Sequence, residues 1–140
     1  MIGAMIAKYK VSSAFKALNN RNFQTFLSAW RDDCVFNYPG KVPMSGRHEG
    51  IDAIQKWFQK FLDQFPKIEF TVKNLCVDNI FDIVGNNTVA AHWDLKLTKK
   101  DNTELRNSGV TVIKIKFGKA EMVTDYFFDT DEKVRIAWGS

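Results

Sequence analysis

The chain is poor in the residues that staple small domains or bind metals. Its 140 residues include two cysteines, two histidines and three prolines. Cys34 and Cys76 lie far apart, with no C-x-x-C motif and no Cys/His cluster, which argues against a disulfide scaffold or a zinc ribbon. Each cysteine stands beside a valine, and both are expected to be buried, reduced thiols. His48 and His92 fall into no H-x-H or H-E-x-x-H spacing, so no metal is expected. P-loop, dinucleotide and G-x-S-x-G motifs are also missing, so no cofactor is expected. No apolar run has the length of a membrane span. The opening "MIGAMIAKYK" lacks the basic region and cleavage site of a signal peptide. A cytoplasmic protein with no membrane partner is the expectation. An excess of one charge is missing too. Twenty basic and 16 acidic residues leave a net +4, scattered along the chain with no Arg-rich arm, so no nucleic-acid partner is expected.

Aromatic residues are plentiful. They make up 14% of the chain, with 12 Phe and 4 Trp. That wealth fits either an aromatic core or an aromatic-lined cavity. The length suits one domain, spanning 1–140, with 1–10 either extending the first helix or disordered.

Hydrophobic periodicity changes once along the chain. Val11, Ala14, Phe15 and Leu18 recur at helical spacing until "NNRN" interrupts. Phe23, Phe26, Leu27 and Trp30 form a second run that Asn20 or Asn22 can cap. "CVFNY" is a short strand stopped by Pro39-Gly40. "PGKVPMSGRHEG" reads as a loop. Ile51, Ile54, Trp57, Phe58, Phe61, Leu62 and Phe65 then give a broad apolar helical face that ends at Pro66. From Lys67 the period becomes two. "KIEFTVKNLCV", "TVAAHWDLKLT", "SGVTVIKIKF" and "AEMVTDYFFD" read as four antiparallel strands, and "EKVRIAWG" as a short tail with a helical turn. Helices followed by strands predict an α+β domain, with helices on one face of an antiparallel sheet. A twisted sheet wrapped around a long helix leaves a concave apolar space, where small ligands bind by default.

The stretches "FKALNNRNFQTFLSAWRDDCVFNYPG", "SGRHEGIDAIQKWF", "NTVAAHWDLKLT", "GVTVIKIKFGKAEMVTDYFFD" and "AWG" resemble the SnoaL-like, ketosteroid-isomerase-like group of the nuclear transport factor 2-like superfamily. The resemblance spans about Val11 to Gly139. It implies a cystatin-like cone, with three N-terminal helices packed on a curved, mainly antiparallel sheet around a pocket, and a homodimer formed through the outer sheet face. It does not imply one activity, because the superfamily holds isomerases, cyclases, hydrolases, dehydratases and non-catalytic modules.

Residue by residue, the ketosteroid isomerase apparatus is missing. Tyr38, before Pro39, stands where that family has its proton-abstracting Asp. Ala14 stands at the position of its helix Tyr, and "GVTVIK" has no acid. Other members of the group use an Arg-x-Asp pair on a central strand, and His92-Trp93-Asp94 lies at the comparable place. The cyclases use an Asp near the end of the last strand, which Asp129 matches. The resemblance therefore implies His92, Asp94 and Asp129 as catalytic candidates, with Tyr38, Trp30, Phe36, Trp57, Phe58, Asp125 and Phe127 as ligand-binding candidates. A histidine beside a carboxylate suits acid/base work near neutral pH.

Strand parity sets a condition on this. Val89, Ala91, Trp93, Leu95 and Leu97 share one face, and His92, Asp94, Lys96 and Thr98 the other. Either Trp93 faces the cone and His92 and Asp94 lie outside it, or the faces are reversed. Asp125 lies between apolar residues in "VTDYFF", and an acid there is costly if buried unpaired, so it is paired, exposed or functional. Two functions are expected from this reading. One is binding of an apolar or aromatic small molecule, with cofactor-free isomerase, cyclase or hydratase chemistry. The other is a non-catalytic ligand-binding or protein-interaction module.

Overall fold

The computed structural model of the chain describes residues 1–139, and Ser140, the last residue of the expected domain, lies outside them. The chain forms α1 (Ile2–Asn19), α2 (Phe23–Ser28), β1 (Trp30–Tyr38), β2 (Gly46–Glu49), α3 (Ile51–Gln64), β3 (Lys67–Val77), β4 (Asn87–Thr98), β5 (Glu104–Lys116), β6 (Lys119–Phe127) and α4 (Glu132–Trp138). The strands make one sheet in the order β2-β1-β6-β5-β4-β3. Every neighbouring pair is antiparallel except β1 with β6. The expected α+β cone with three N-terminal helices is what the chain adopts.

Local chemistry accounts for most of these elements. Asn22 caps α2 by accepting the amide of Thr25 at 3.3 Å. α3 turns Ile54, Trp57, Phe58, Phe61 and Leu62 inward at helical spacing. Its C-terminal carbonyls are met by Arg21, which donates to Leu62 O at 2.6 Å and Phe65 O at 2.8 Å. A cation suits that end of a helix. Asn19 donates to Phe70 O and accepts from Phe70 N, at 2.8 and 2.7 Å, pinning α1 to β3. Phe117 and Gly118, at φ 49° and 82°, form the tight turn between β5 and β6. A two-residue hairpin turn with both φ positive matches the strand twist.

Four expectations change. Trp30 belongs to β1, not to the second helix: its backbone pairs with Ala120 of β6, and sheet pairing overrides the local helical spacing. "GRHE", read as loop, is the edge strand β2, paired with β1 through Phe36 and His48. A four-residue edge strand among Gly and Pro carries little sequence signal. Residues 132–138 form a true helix, which seats Trp138 against Tyr38, Trp57, Phe61 and Phe65. Cys34 is buried as expected, but Cys76 is exposed, because it lies on the outer face of β3 opposite Ala90. Both thiols are free.

The core lies between α3 and the inner sheet face. Phe36, Trp57 and Phe58 meet ring to ring at 4.8–5.2 Å, and Tyr38 joins them at 4.7 Å from Trp57. The Phe36–Trp57 and Trp57–Phe58 contacts are edge-on, a packing favourable beyond area burial alone. Toward α1 and α2 the same aromatic layer stops short of filling the space, and a cavity remains.

Candidate active site

The cavity measures about 420 Å³ and is bounded by α1, α2, Phe58 of α3 and the inner faces of β1, β5 and β6. Its walls are mostly apolar: Val11, Ala14, Phe15, Phe26, Trp30, Phe36, Phe58, Phe70, Ile113 and Val123 all line it. Among the described residues one carboxyl group lines it, that of Asp125.

Strand register puts Asp125 there. Directly paired residues share a face. Ala91, Thr111 and Asp125 form one inner row across β4, β5 and β6, next to the row Trp93, Gly109 and Phe127. Gly109 is required by close approach: a Cβ there would stand 2.3 Å from the Tyr126 carbonyl oxygen and 2.8 Å from the Trp93 ring. Its absence lets the Trp93 ring approach the strand closely while its Nε1 reaches Thr111.

The resulting contacts form a short polar chain inside an apolar wall. Trp93 Nε1 donates to Thr111 Oγ1 at 2.8 Å, and Thr111 Oγ1 donates to Asp125 Oδ1 at 2.7 Å. An indole N–H is a donor only. The hydroxyl must therefore accept from Trp93 and send its own proton to Asp125 Oδ1. Asp125 Oδ2 has no hydrogen-bond partner among the described residues. A proton taken up by this carboxyl consequently resides on Oδ2, and the carboxyl borders the cavity. Burial among apolar groups raises its pKa from the ordinary 3.8 to about 7, against a smaller lowering by the Thr111 hydrogen bond. Asp125 keeps some accessible surface, and the cavity supplies it.

The structure separates the other candidates. Trp30, Phe36 and Phe58 line the cavity with Asp125. Tyr38, Trp57 and Phe127 do not: they form the packed layer beside it. The Tyr38 hydroxyl is buried and accepts from Trp138 Nε1 at 3.0 Å. Burial also pushes its pKa up. Trp57 Nε1 donates to Met44 O at 2.9 Å. Phe127 packs edge-on against Trp93 and Tyr38.

Trp93 is fully buried on the inner face, so His92 and Asp94 point to the outer one. Of the two orientations open from the sequence, the one that would put the catalytic candidates His92 and Asp94 in the cone is ruled out by strand parity: no bulge on β4 reverses it, since its burial alternates without interruption. His92 packs on Phe128 with ring centroids 5.9 Å apart, and its Nδ1 lies 3.2 Å from Asn74 Nδ2. Asp94 accepts from Ser108 Oγ at 2.7 Å and pairs with Lys73 at 3.3 Å. The Ser108 bond, then Lys73, lowers its pKa. Asp129 joins Asp94 in an open outer groove with Glu69, Lys96, Arg106 and Lys133, on the side of the sheet away from the cone. There the Asp129 carboxylate meets the Lys133 amide at 3.4 Å.

Thr111 and Trp93 are not among the candidates read from the sequence. Thr111 carries a readable signal, a hydroxyl in phase with Ile113 and Ile115 on the apolar face. The Trp93–Thr111 bond joins adjacent rows of two strands, and nothing local announces it. Among the described residues no three His, Cys, Asp or Glu side chains come together as metal ligands, and no helix is long and apolar enough to cross a membrane.

Residues 11–121 match the model of the SnoaL-like domain family. No protein of curated function matches the chain by sequence. Among solved structures, Bal32a from a soil-derived mobile gene cassette superposes with a TM-score of 0.84 at 16% identity, covering 97% of this chain and 98% of its own. An NTF2-like protein of unknown function from Burkholderia pseudomallei superposes at 0.81 with 15% identity, over 100% of both chains. A Mycobacterium tuberculosis protein in complex with estradiol-17beta-hemisuccinate superposes at 0.74 with 16% identity, covering 86% of this chain and 92% of that one. At such identities these likenesses establish the fold.

Proposed function

The chain belongs to the SnoaL-like domain family, and from that premise we propose that it binds a mainly apolar small molecule in the cone and moves a proton on it with Asp125. One observation carries this reading: a single carboxyl, its Oδ1 held by Thr111 and its Oδ2 unbonded, borders an otherwise apolar cavity. A pKa raised to about 7 by burial leaves both the acid and its carboxylate populated near neutral pH. That balance suits a group that takes a proton from one atom and returns it to another. Isomerisation and cyclisation need such a step and no cofactor. The Mycobacterium tuberculosis protein of the same fold, in complex with a steroid ester, supports a ligand of apolar ring character.

The test uses 5-nitrobenzisoxazole, an uncharged bicycle whose ring opens when a base removes its C3 proton. The N–O bond then breaks and 2-cyano-4-nitrophenolate absorbs in the visible. The expected rate rises with pH through about 7 and falls at least tenfold in Asp125→Asn. An unchanged rate in that variant removes Asp125 from the role.

A second reading, a binding module without catalysis, is favoured by the lack, among the described residues, of a second acid or base beside Asp125 in the cavity. It predicts ligand binding with no base-promoted turnover.

Pairing of two copies through the outer sheet face is part of the proposal. Tyr126 is 56% exposed and Phe128 69% exposed on that face, in line with Val110 and Val112 of β5. Sedimentation should give twice the chain mass, and Tyr126→Glu with Phe128→Glu should halve it. A monomer before substitution removes the pairing. A cytoplasmic location accords with two free thiols, one of them exposed.

A further inference from the structure

Among the described residues three charged residues border the cavity, at opposite ends. Asp125 sits among the inner rows. Lys10 and Lys119, both exposed, stand where α1 passes the β5–β6 turn. Lys119 opens β6 and Asp125 lies six residues further along the same strand, so the two ends are separated by roughly 15–20 Å at about 3.3 Å per residue.

The mouth is organised by its backbone. Lys10 Nζ donates to Gly118 O at 2.9 Å, which holds the ammonium over the turn. An ammonium has three donors, so two remain for another acceptor. Among the described residues neither Lys10 nor Lys119 forms an ion pair. The nearby acids are engaged elsewhere: Glu121 reaches Lys116, Asp33 pairs with Arg31, and the Asp82 carboxylate accepts the amides of Val84, Gly85 and Asn86. Two positive charges thus border an apolar cavity without a partner. The inner end offers the opposite environment, since an anion there would face a carboxyl in an apolar wall.

Building on the proton-transfer reading above, we infer that the ligand is an elongated, mainly apolar acid, whose carboxylate, sulfate or phosphate group is read by Lys10 and Lys119 at the mouth while its apolar body extends to Asp125. The lysines then do more than attract. They fix the direction of entry, and so decide which end of the molecule meets the carboxyl. Ser13, which also lines the cavity, adds a hydroxyl on the α1 side.

The probes are 1-pyrenebutyrate and its methyl ester, which share ring and chain and differ in charge. Their fluorescence reports transfer into an apolar site. The acid should bind the wild-type chain about five- to tenfold more tightly than the ester, given that two partly exposed ion pairs are each worth a modest amount. That preference should shrink as salt rises. Lys10→Gln with Lys119→Gln should abolish the preference, bringing the affinities of the two probes within about twofold of each other. Ala14→Trp, which fills the cavity, should weaken both probes. Equal affinity for the two probes in the wild type, or a preference kept by the double variant, overturns the inference and leaves the proton-transfer reading standing. If neither probe binds, the cavity is not a ligand site and both fall.

Discussion

Replacing Asp125 with Asn removes one ionisable group and little else. The side chains have nearly the same shape, and the Asn carbonyl oxygen can still accept the Thr111 hydroxyl. The consequence for stability depends on pH in a defined direction. Burial raises the folded-state pKa of Asp125 from 3.8 to about 7. Below about pH 4 the group is protonated in both the folded and unfolded chain, and it costs nothing. Between about 4 and 7 the unfolded chain releases the proton and the folded chain retains it, so stability falls as pH rises. Above about 7 both forms are ionised and the loss is complete. The interval between 3.8 and about 7, at 1.36 kcal/mol per pH unit, corresponds to about 4 kcal/mol. This is an upper bound, because water entering the cavity solvates the carboxylate; about 2–3 kcal/mol is the working expectation. The Asp125→Asn variant has no ionisable group there and escapes this loss. Urea unfolding of both proteins from pH 4 to 8.5 should show the variant gaining on the wild type by that amount across the interval and running parallel above it. A stability difference that stays constant with pH refutes the reasoning, since it would mean that Asp125 ionises in the fold as it does in water.

Thr111→Val keeps the shape but removes the Thr111 hydroxyl donor to Asp125 and leaves the Trp93 N–H unpaired; it should cost about 1–3 kcal/mol, and the pH midpoint of the 5-nitrobenzisoxazole reaction should move upward, since the Thr111 bond lowers the Asp125 pKa. Gly109→Ala should destabilise by roughly 1–3 kcal/mol or more in the same urea assay, as its Cβ would press on the Tyr126 carbonyl and the Trp93 ring. His92→Ala and Asp94→Asn, on the outer face, should each change the 5-nitrobenzisoxazole rate by less than twofold; a tenfold loss would return the chemistry to them.

How far the site can be read from the chain differs residue by residue. Phe36, Phe58 and Asp125 are identifiable because each sits in phase with apolar neighbours on a strand or helix that must face inward. Trp57 and Phe127 carry the same signal yet fall in the packed layer, since periodicity distinguishes inside from outside but not filled space from empty space. His92 and Asp94 come forward on chemical type and family position. The parity of "VAAHWDLKL" already argues against them, and the buried Trp93 decides the orientation. The edge strand β2 escapes notice because four residues bonded along one side need little from their own side chains.

Composition and period are enough to indicate an α+β fold, the helix-to-strand switch near Lys67 and the apolar face of each element, because these follow from where the backbone must hide its apolar side chains. The cavity, the Trp93–Thr111–Asp125 chain and the raised pKa of Asp125 are decided only in three dimensions. Each depends on distances between residues far apart in the chain: on how far α1 stands from the sheet, on a register that puts Thr111 opposite Asp125, and on a Gly109 that lets an indole lie across it. A carboxyl group in water and one in that wall are the same residue in sequence, and the difference in their proton affinity belongs entirely to the surroundings that folding supplies.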